Sequence, residues 1–245
     1  MRTLLLDIET APNLAWVWGL WKQDIPLAML VESGYMLCFA AKWLHEPDTE
    51  FYSLRNPGKT GMVRAAWDLL DEADTVVHYN GKQFDIPTLN GEMLLEGLPP
   101  PSPFKQIDLC RVAKKQFRLP SNKLQYVSDN LLSLGGKEKH RGFDMWLGVM
   151  TDDDQSWADM ERYNRRDVTV LEDVYDRLLP WIPGHPNVNL YTTDTDGCPK
   201  CGSAELTKEG RAYTALGTYQ RYSCRGCGGW SRGNRRLEGV EKVGL

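Results

Sequence analysis

The chain opens on an apolar run, Leu4, Leu5 and Leu6, that is cut off by acids at Asp7 and Glu9. A short apolar run of this kind predicts a buried strand over residues 3–9. Alternation along that strand puts positions 7 and 9 on one face, where two carboxylates repel each other and resist burial. Strand patterns recur at 35–44 (YMLCFAAKWL) and 49–54, before an amphipathic helix over 62–73 (MVRAAWDLLDEA). The segment 75–79 (TVVHY) predicts another strand, followed by a helix over 84–97 that Pro87 is expected to interrupt early. A short strand near 105–109 and helical patterns at 111–117 and 123–132 come next. The longest helical pattern covers 156–180, SWADMERYNRRDVTVLEDVYDRLLP. Ser156 and Asp159 form an S-x-x-D start signal, and Leu178, Leu179 and Pro180 mark the end.

Three strand patterns followed by alternating helices and strands predict a mixed α/β sheet. Smaller readings attach to single residues. Asp108 reads as the N-cap of the helix that follows it, and His78 as a packed or capping residue. Asp152, Asp153 and Asp154 read as a solvated turn, Lys82 as a surface lysine by default with phosphate contact as the alternative, and Cys38 and Cys110 as core. After Pro183 the stretch GHPNVNLYTTDTDG lacks large apolar residues and reads as a linker. The organisation expected is a domain over 1–183, a linker over 184–197, and a small unit over 198–236 with a basic tail to 245.

Length and composition change this picture little. At 245 residues the chain has room for one ordinary domain and a small second one, and 42% hydrophobic with 25% charged residues describes a soluble globular protein. The net charge of −4 argues against a uniform nucleic-acid coat but leaves room for local asymmetry. Three leucines before Asp7 are too few for a signal-peptide core, and no apolar stretch is long enough to span a membrane. The expected location is the cytoplasm, with no membrane partner, and six cysteines there are not expected to pair as disulfides.

The candidate chemistry lies in the acids. NGKQFD at 80–85 puts Asp85 just past an apolar strand, and YNRRD at 163–167 puts Tyr163 and Asp167 on one helical face. Four carboxylates converging on one point call for cations, and an all-oxygen donor set favours Mg²⁺ or Mn²⁺ over zinc. D-x-E on the first strand, N-x3-F-D at a later strand end and Y-x3-D on a late helix resemble the DEDD exonuclease superfamily. Arg162 stands where the histidine subtype would need His, so the third motif resembles the tyrosine subtype. The stretches DIETAPNLAWVWGLW and FDMWLGVM…YNRRDVTVLEDVYDRL are similar to phage and bacterial exonuclease-like proteins more than to polymerase proofreading domains, and 245 residues leave no room for a polymerase module.

The resemblance implies a ribonuclease H-like fold with a five-stranded mixed sheet flanked by helices, in a bacterial or phage-infected cell. It implies two Mg²⁺ or Mn²⁺ ions held by Asp7, Glu9, Asp85 and Asp167, with Asp7 bridging. Tyr163 would orient the attacking water or accept its proton. The expected reaction releases 5′ mononucleotides from a 3′ end, DNA being the first substrate considered and RNA 3′-end trimming the alternative. Asn80 and Phe84 match positions near the terminal nucleotide, and Thr10 is a further substrate-binding candidate. Trp16 and Trp18, with Trp21, lie close behind the acids and either stack on unpaired bases or pack the loop onto the sheet.

The C-terminal unit carries CPKC at 198–201 and CRGC at 224–227. Cys198, Cys201, Cys224 and Cys227 look like a zinc ribbon holding one structural Zn²⁺. Between 208 and 236, Lys208, Arg211, Arg221, Arg225, Arg232, Arg235 and Arg236 stand against Glu209 alone, interleaved with Tyr213, Tyr219, Tyr222 and Trp230. That composition fits a nucleic-acid grip, or a solvated surface on a small domain. A replication or recombination protein is a further partner considered for the unit, and a non-catalytic adaptor is the rival from outside enzymology.

Overall fold

The computed structural model describes residues 1–132, 142–193 and 196–242. Residues 194–195 of the expected linker and 243–245 of the expected tail therefore lie outside the described residues. In chain order the elements are β1 (Thr3–Thr10), β2 (Leu14–Ala15), β3 (Leu30–Glu32), β4 (Met36–Trp43), β5 (Glu50–Ser53), α1 (Lys59–Glu72), β6 (Thr75–His78) and α2 (Asp85–Leu95). They continue with β7 (Lys105–Asp108), α3 (Leu109–Gln116), α4 (Leu124–Leu131), α5 (Phe143–Met150), α6 (Asp154–Leu178), β8 (Leu206–Tyr213), β9 (Gly217–Cys224) and β10 (Trp230–Gly239).

A five-stranded sheet in the order β5-β4-β1-β6-β7 forms the centre. β1 pairs antiparallel with β4 and parallel with β6, so the sheet is mixed. Helices cover both faces. Leu4, Leu6 and Ile8 of β1 face α1 and α2, packing with Met62, Ala66, Leu70 and Leu89. Leu5 points the other way, into a cluster with Val112 of α3, Val127 of α4 and Val168, Leu171 and Val174 of α6. Asp7 and Glu9 continue the face of Leu5, so the acids open toward α6.

α6 is fixed at several points. Lys42 on β4 pairs with Glu172 in a buried ion pair, and the other Glu172 oxygen accepts the His45 N–H at 2.6 Å. At its start Asp153, not Ser156, is the N-cap: one Asp153 oxygen accepts both Ser156 N–H (2.8 Å) and Ser156 O–H (2.6 Å). The helix therefore begins two residues before the sequence signal, because an aspartate reaching forward three residues satisfies an orphan N–H as well as a serine does. The acidic turn is not merely solvated either, since Asp152 and Asp154 both pair with Arg55 at 2.6 Å. α5, which the periodicity does not predict, packs across α6 through Gly148, where a Cβ would lie 1.9 Å from Ser156 Oγ.

Pro87 does not interrupt α2. It is the third residue of the helix, where its missing N–H has no intrahelical partner to lose. Asp108 caps α3 through Arg111 N–H, as expected, and His78 is fully buried.

The cysteine unit is a three-stranded antiparallel sheet, β10-β9-β8, seated on the end of α6. Lys200, inside the first cysteine pair, donates to the carbonyls of Leu179 (3.2 Å) and Pro180 (2.6 Å). Cys227 packs on the cluster around Leu179 and Ile182. The segment before it is not a bare tether: Val188–Tyr191 forms a 3-10 turn, and buried Asn189 donates to Gly197 O at 2.8 Å. No helix among the described residues is long and apolar enough to cross a membrane.

Asp153→Ala removes the acceptor for both Ser156 groups and should cost about 1–2 kcal/mol. Chemical denaturation is the check, with a midpoint shift and unchanged m-value expected; wild-type stability in the variant would mean the cap contributes nothing.

Candidate metal and nucleic-acid site

The packing of α6 over β1 assembles the acidic site. Carboxylate oxygens of Asp7, Glu9 and Asp167 all lie within 4.8 Å of one another. Small residues sit beside the two strand acids in the sheet, Ala40 by Asp7 and Cys38 by Glu9. Tyr163, one helical turn before Asp167, hydrogen-bonds its carboxylate and stacks edge-on against Trp146 of α5. Asp85 is buried and stands apart from the trio, its Oδ1 accepting Ile8 N–H at 3.2 Å.

The electrostatics are those of anions forced together. Asp7 is held well above the usual carboxylate range, by burial first and then by Glu9, Asp85 and Asp167. Burial, Asp167 and Asp85 push Glu9 up to about 8. Burial raises Asp85 to about 7 against the pull of its backbone hydrogen bonds. Tyr163 is also raised, by burial and the negative charges of Asp167 and Glu9. Each shift marks a cost of ionisation that a cation in the site would remove. The donors are all oxygen, which suits a hard divalent ion such as Mg²⁺ or Mn²⁺.

One contributor is not among the residues the motifs predict. Asn164 is fully buried on α6, and its Nδ2 donates to Asp7 Oδ2 at 2.7 Å and to Asp7 O at 3.3 Å. It lies in the buried stripe Trp157, Met160, Asn164, Val168, Leu171. An amide in an otherwise apolar stripe is the available signal, since a buried polar group needs a partner.

Other expected site residues scatter more widely. Thr10 follows Glu9 at a β-bulge. Asn80 adopts a left-handed backbone (φ 68°) and donates its N–H to Asp108 Oδ1 at 3.0 Å. Phe84 is exposed at the N-cap of α2. Between β1 and β4 the chain forms an arm closed by the β2–β3 ribbon, on which Trp16, Trp18 and Trp21 are 74%, 94% and 84% exposed. These indoles do not pack the arm onto the sheet.

In the C-terminal unit the four cysteine sulfurs also lie within 4.8 Å of one another. Cys198 Sγ is 3.8 Å from Cys227 Sγ, and Cys201 Sγ is 3.7 Å from Cys224 Sγ. A tetrahedron with Zn–S bonds of about 2.3 Å has edges of about 3.8 Å, so the spacing fits a Cys₄ zinc site and is far too long for disulfides. Burial opposes ionisation of Cys224, yet N–H groups of Cys227 and Gly226 and the neighbouring thiols bring it down to about 7. The basic surface nearby is partly self-paired: Arg211 bridges Glu238 at 2.7 Å, Arg221 lies over Trp230 and Arg232 over Tyr219. Glu238 lies just beyond the window in which basic residues dominate the sequence.

A family model described as the RNase H superfamily matches residues 30–179, more than half of the chain. The chain belongs to the RNase H superfamily. The match begins after β1, so it spans Asp85, Tyr163 and Asp167 but not Asp7 or Glu9. Among solved structures this RNase H-superfamily chain is similar to the family B DNA polymerase of the archaeon Pyrobaculum calidifontis, at 17% identity and TM-score 0.55 over 88% of the chain. It spans only 31% of that polymerase, and at this identity the likeness is one of fold. RNase D of Trypanosoma brucei also matches, at 15% identity and TM-score 0.48, over 73% of this chain and 57% of that one. Comparison with curated proteins gives no match.

An acid whose pKa is raised by folding keeps its proton longer in the folded state than in the unfolded chain. Stability is then full below the unfolded pKa and lost as pH rises through the folded one. For Glu9 that window runs from 4.5 to about 8, and for Asp85 from 3.8 to about 7. In EDTA the melting temperature should therefore fall from roughly pH 5 to 8. Mg²⁺ or Mn²⁺ should restore it, most strongly at the high end, and Glu9→Gln should flatten the slope. A metal-free melting temperature equally pH-dependent in wild type and Glu9→Gln would contradict the clustering.

Proposed function

We propose that the chain is a metal-dependent 3′→5′ exonuclease of the DEDD type, tyrosine subtype, acting on DNA. The observation that carries this reading is the convergence of Asp7, Glu9 and Asp167 within 4.8 Å, in the RNase H superfamily. Glu9 and Asp167 would hold one divalent ion, Asp7 would bridge to a second, and Asp85 would serve that second ion from its place beside Ile8. When bound, the ions supply a water of lowered pKa and stabilise the leaving 3′ oxygen. The protein's own groups orient the reactants. The Tyr163 hydroxyl, hydrogen-bonded to the Asp167 carboxylate, would orient the attacking water or accept its proton. Asn164 holds the Asp7 carboxylate in one rotamer. The exposed indoles of Trp16 and Trp18 favour the stacking role over packing, with Thr10, Asn80 and Phe84 nearer the terminal nucleotide.

The second part of the reading concerns organisation. Residues 1–183 would form the nuclease domain and 198–236 a zinc ribbon with one structural Zn²⁺, its sulfur spacing being the support. Lys200 and Cys227 of that unit carry the contacts that seat it on the end of α6.

End-labelled single- and double-stranded DNA and RNA, incubated with Mg²⁺, Mn²⁺ or EDTA, test the activity and its polarity. Asp7→Ala and Asp167→Ala should abolish nucleotide release while the fold persists. Tyr163→Phe should slow the single-turnover rate by about 10- to 1,000-fold with metal affinity unchanged. Release at wild-type rate from either aspartate variant would refute the site, and an unchanged Tyr163→Phe rate would reduce Tyr163 to packing.

A further inference from the structure

One cavity of the sheet domain has no part in the carboxylate site. Between β7, α3 and the segment that follows α6 lies a cleft of about 320 Å³. Lys82, Lys105, Arg111 and Lys115 line it, with Asp108 as the one carboxylate among its described lining residues. All four cations are exposed, and none forms an ion pair with a described residue. Asp108 is already engaged: its Oδ1 accepts Asn80 N–H at 3.0 Å and Arg111 N–H at 3.2 Å. Its Oδ2 is buried without a hydrogen bond, and so is His78 Nδ1, 4.0 Å away. Burial holds His78 toward the neutral form against the pull of Asp108, so His78 adds no positive charge behind the cleft.

Four like charges around one concavity repel one another unless an anion sits among them. Arg111 offers a planar fork for phosphate oxygens, and the lysines offer point charges. Ile182, Pro183 and Pro186 form a stiff apolar wall opposite, suited to a sugar rather than to a bare ion. The volume is at the small end of ligand cavities, about 300–1,000 Å³, and suits a single nucleotide unit of a strand. The loop that carries Lys82 leads directly into Asp85, so the cleft and the acidic site share a connection.

We propose that this cleft is a phosphate exosite that grips the sugar-phosphate backbone of a nucleic-acid strand away from the scissile bond. Its anion chemistry stands on the cleft alone; only the identification of the anion as a strand rests on the nuclease reading.

The test is binding without turnover. A fluorescent single-stranded oligonucleotide is titrated in EDTA over a range of NaCl, using wild type, Lys105→Ala/Lys115→Ala, and Arg111→Gln. Removing one cation that neutralises a phosphate lowers the slope of log K against log salt by about 0.7 for single strands. The double variant should therefore flatten the slope by about 1.4 and Arg111→Gln by about 0.7. Melting temperatures should equal or exceed wild type, since repulsion is relieved. A parallel titration with a nucleoside monophosphate separates strand from free nucleotide. Loss of monophosphate binding with the oligonucleotide slope unchanged would overturn the strand assignment, and unchanged slopes and affinities for both would overturn the site. Flattened slopes with no cleavage by wild type would leave the exosite standing and remove the nuclease reading; cleavage with unchanged slopes would do the reverse.

Discussion

Like-charge repulsion among Asp7, Glu9 and Asp167 is the constraint on which the rest of the structure turns. Carboxylate oxygens within 4.8 Å of one another, partly shielded from water, would drive α6 away from β1 if nothing opposed them. Several features do. The apolar stripe of α6 packs on Leu5 and α3, Lys42 and Glu172 tie the helix to β4, and Asn164 donates to Asp7 itself. Asp153 caps the start of the helix, and Lys200 takes carbonyls beyond its end. The first turns of α6 and its last are thus held from opposite ends of the molecule, leaving the acids between them with one ready relief, a bound cation.

That arrangement gives the C-terminal unit a place in the same account. Its sulfurs are spaced for a tetrahedral metal, and Lys200, between the first two cysteines, reaches the carbonyls just beyond α6. A metal that fixes CPKC would also fix Lys200 against the carbonyls of Leu179 and Pro180 in the turn that follows α6. The four-cysteine unit and the acidic site are linked through one helix, α6.

Much of this is legible in the sequence where a single physical rule dominates. The apolar runs of β1, β4 and β6 and the periodicity of α6 predict the sheet and its covering helix, because burial on both faces or one face imposes its own spacing. D-x-E on a strand and Y-x3-D on a helix carry the trio for the same reason: strand and helix periods fix which side chains share a face. What stays hidden depends on contacts between segments far apart in the chain. Asn164 stands out in sequence only as an amide in an apolar stripe, and its partner Asp7 is not identified until the fold brings the two together. Asp153 reads as a turn acid until its side chain folds forward onto Ser156. α5 is held by Gly148 against Ser156, a close approach that no periodicity reports. The arm's tryptophans are ambiguous in sequence because exposure is a property of the folded surface; the cationic cleft gathers Lys82, Lys105, Arg111 and Lys115 from three separate segments.

The central claim is that the three acids form a divalent-metal site, and the most direct measurement is anomalous diffraction from crystals soaked in Mn²⁺. The account predicts Mn²⁺ density bound to the carboxylates of Asp7, Glu9 and Asp167 and missing from Asp7→Ala crystals, while a separate zinc signal remains at the four cysteines. Saturating Mn²⁺ that leaves the acids empty, or binds only at surface carboxylates elsewhere, would contradict it.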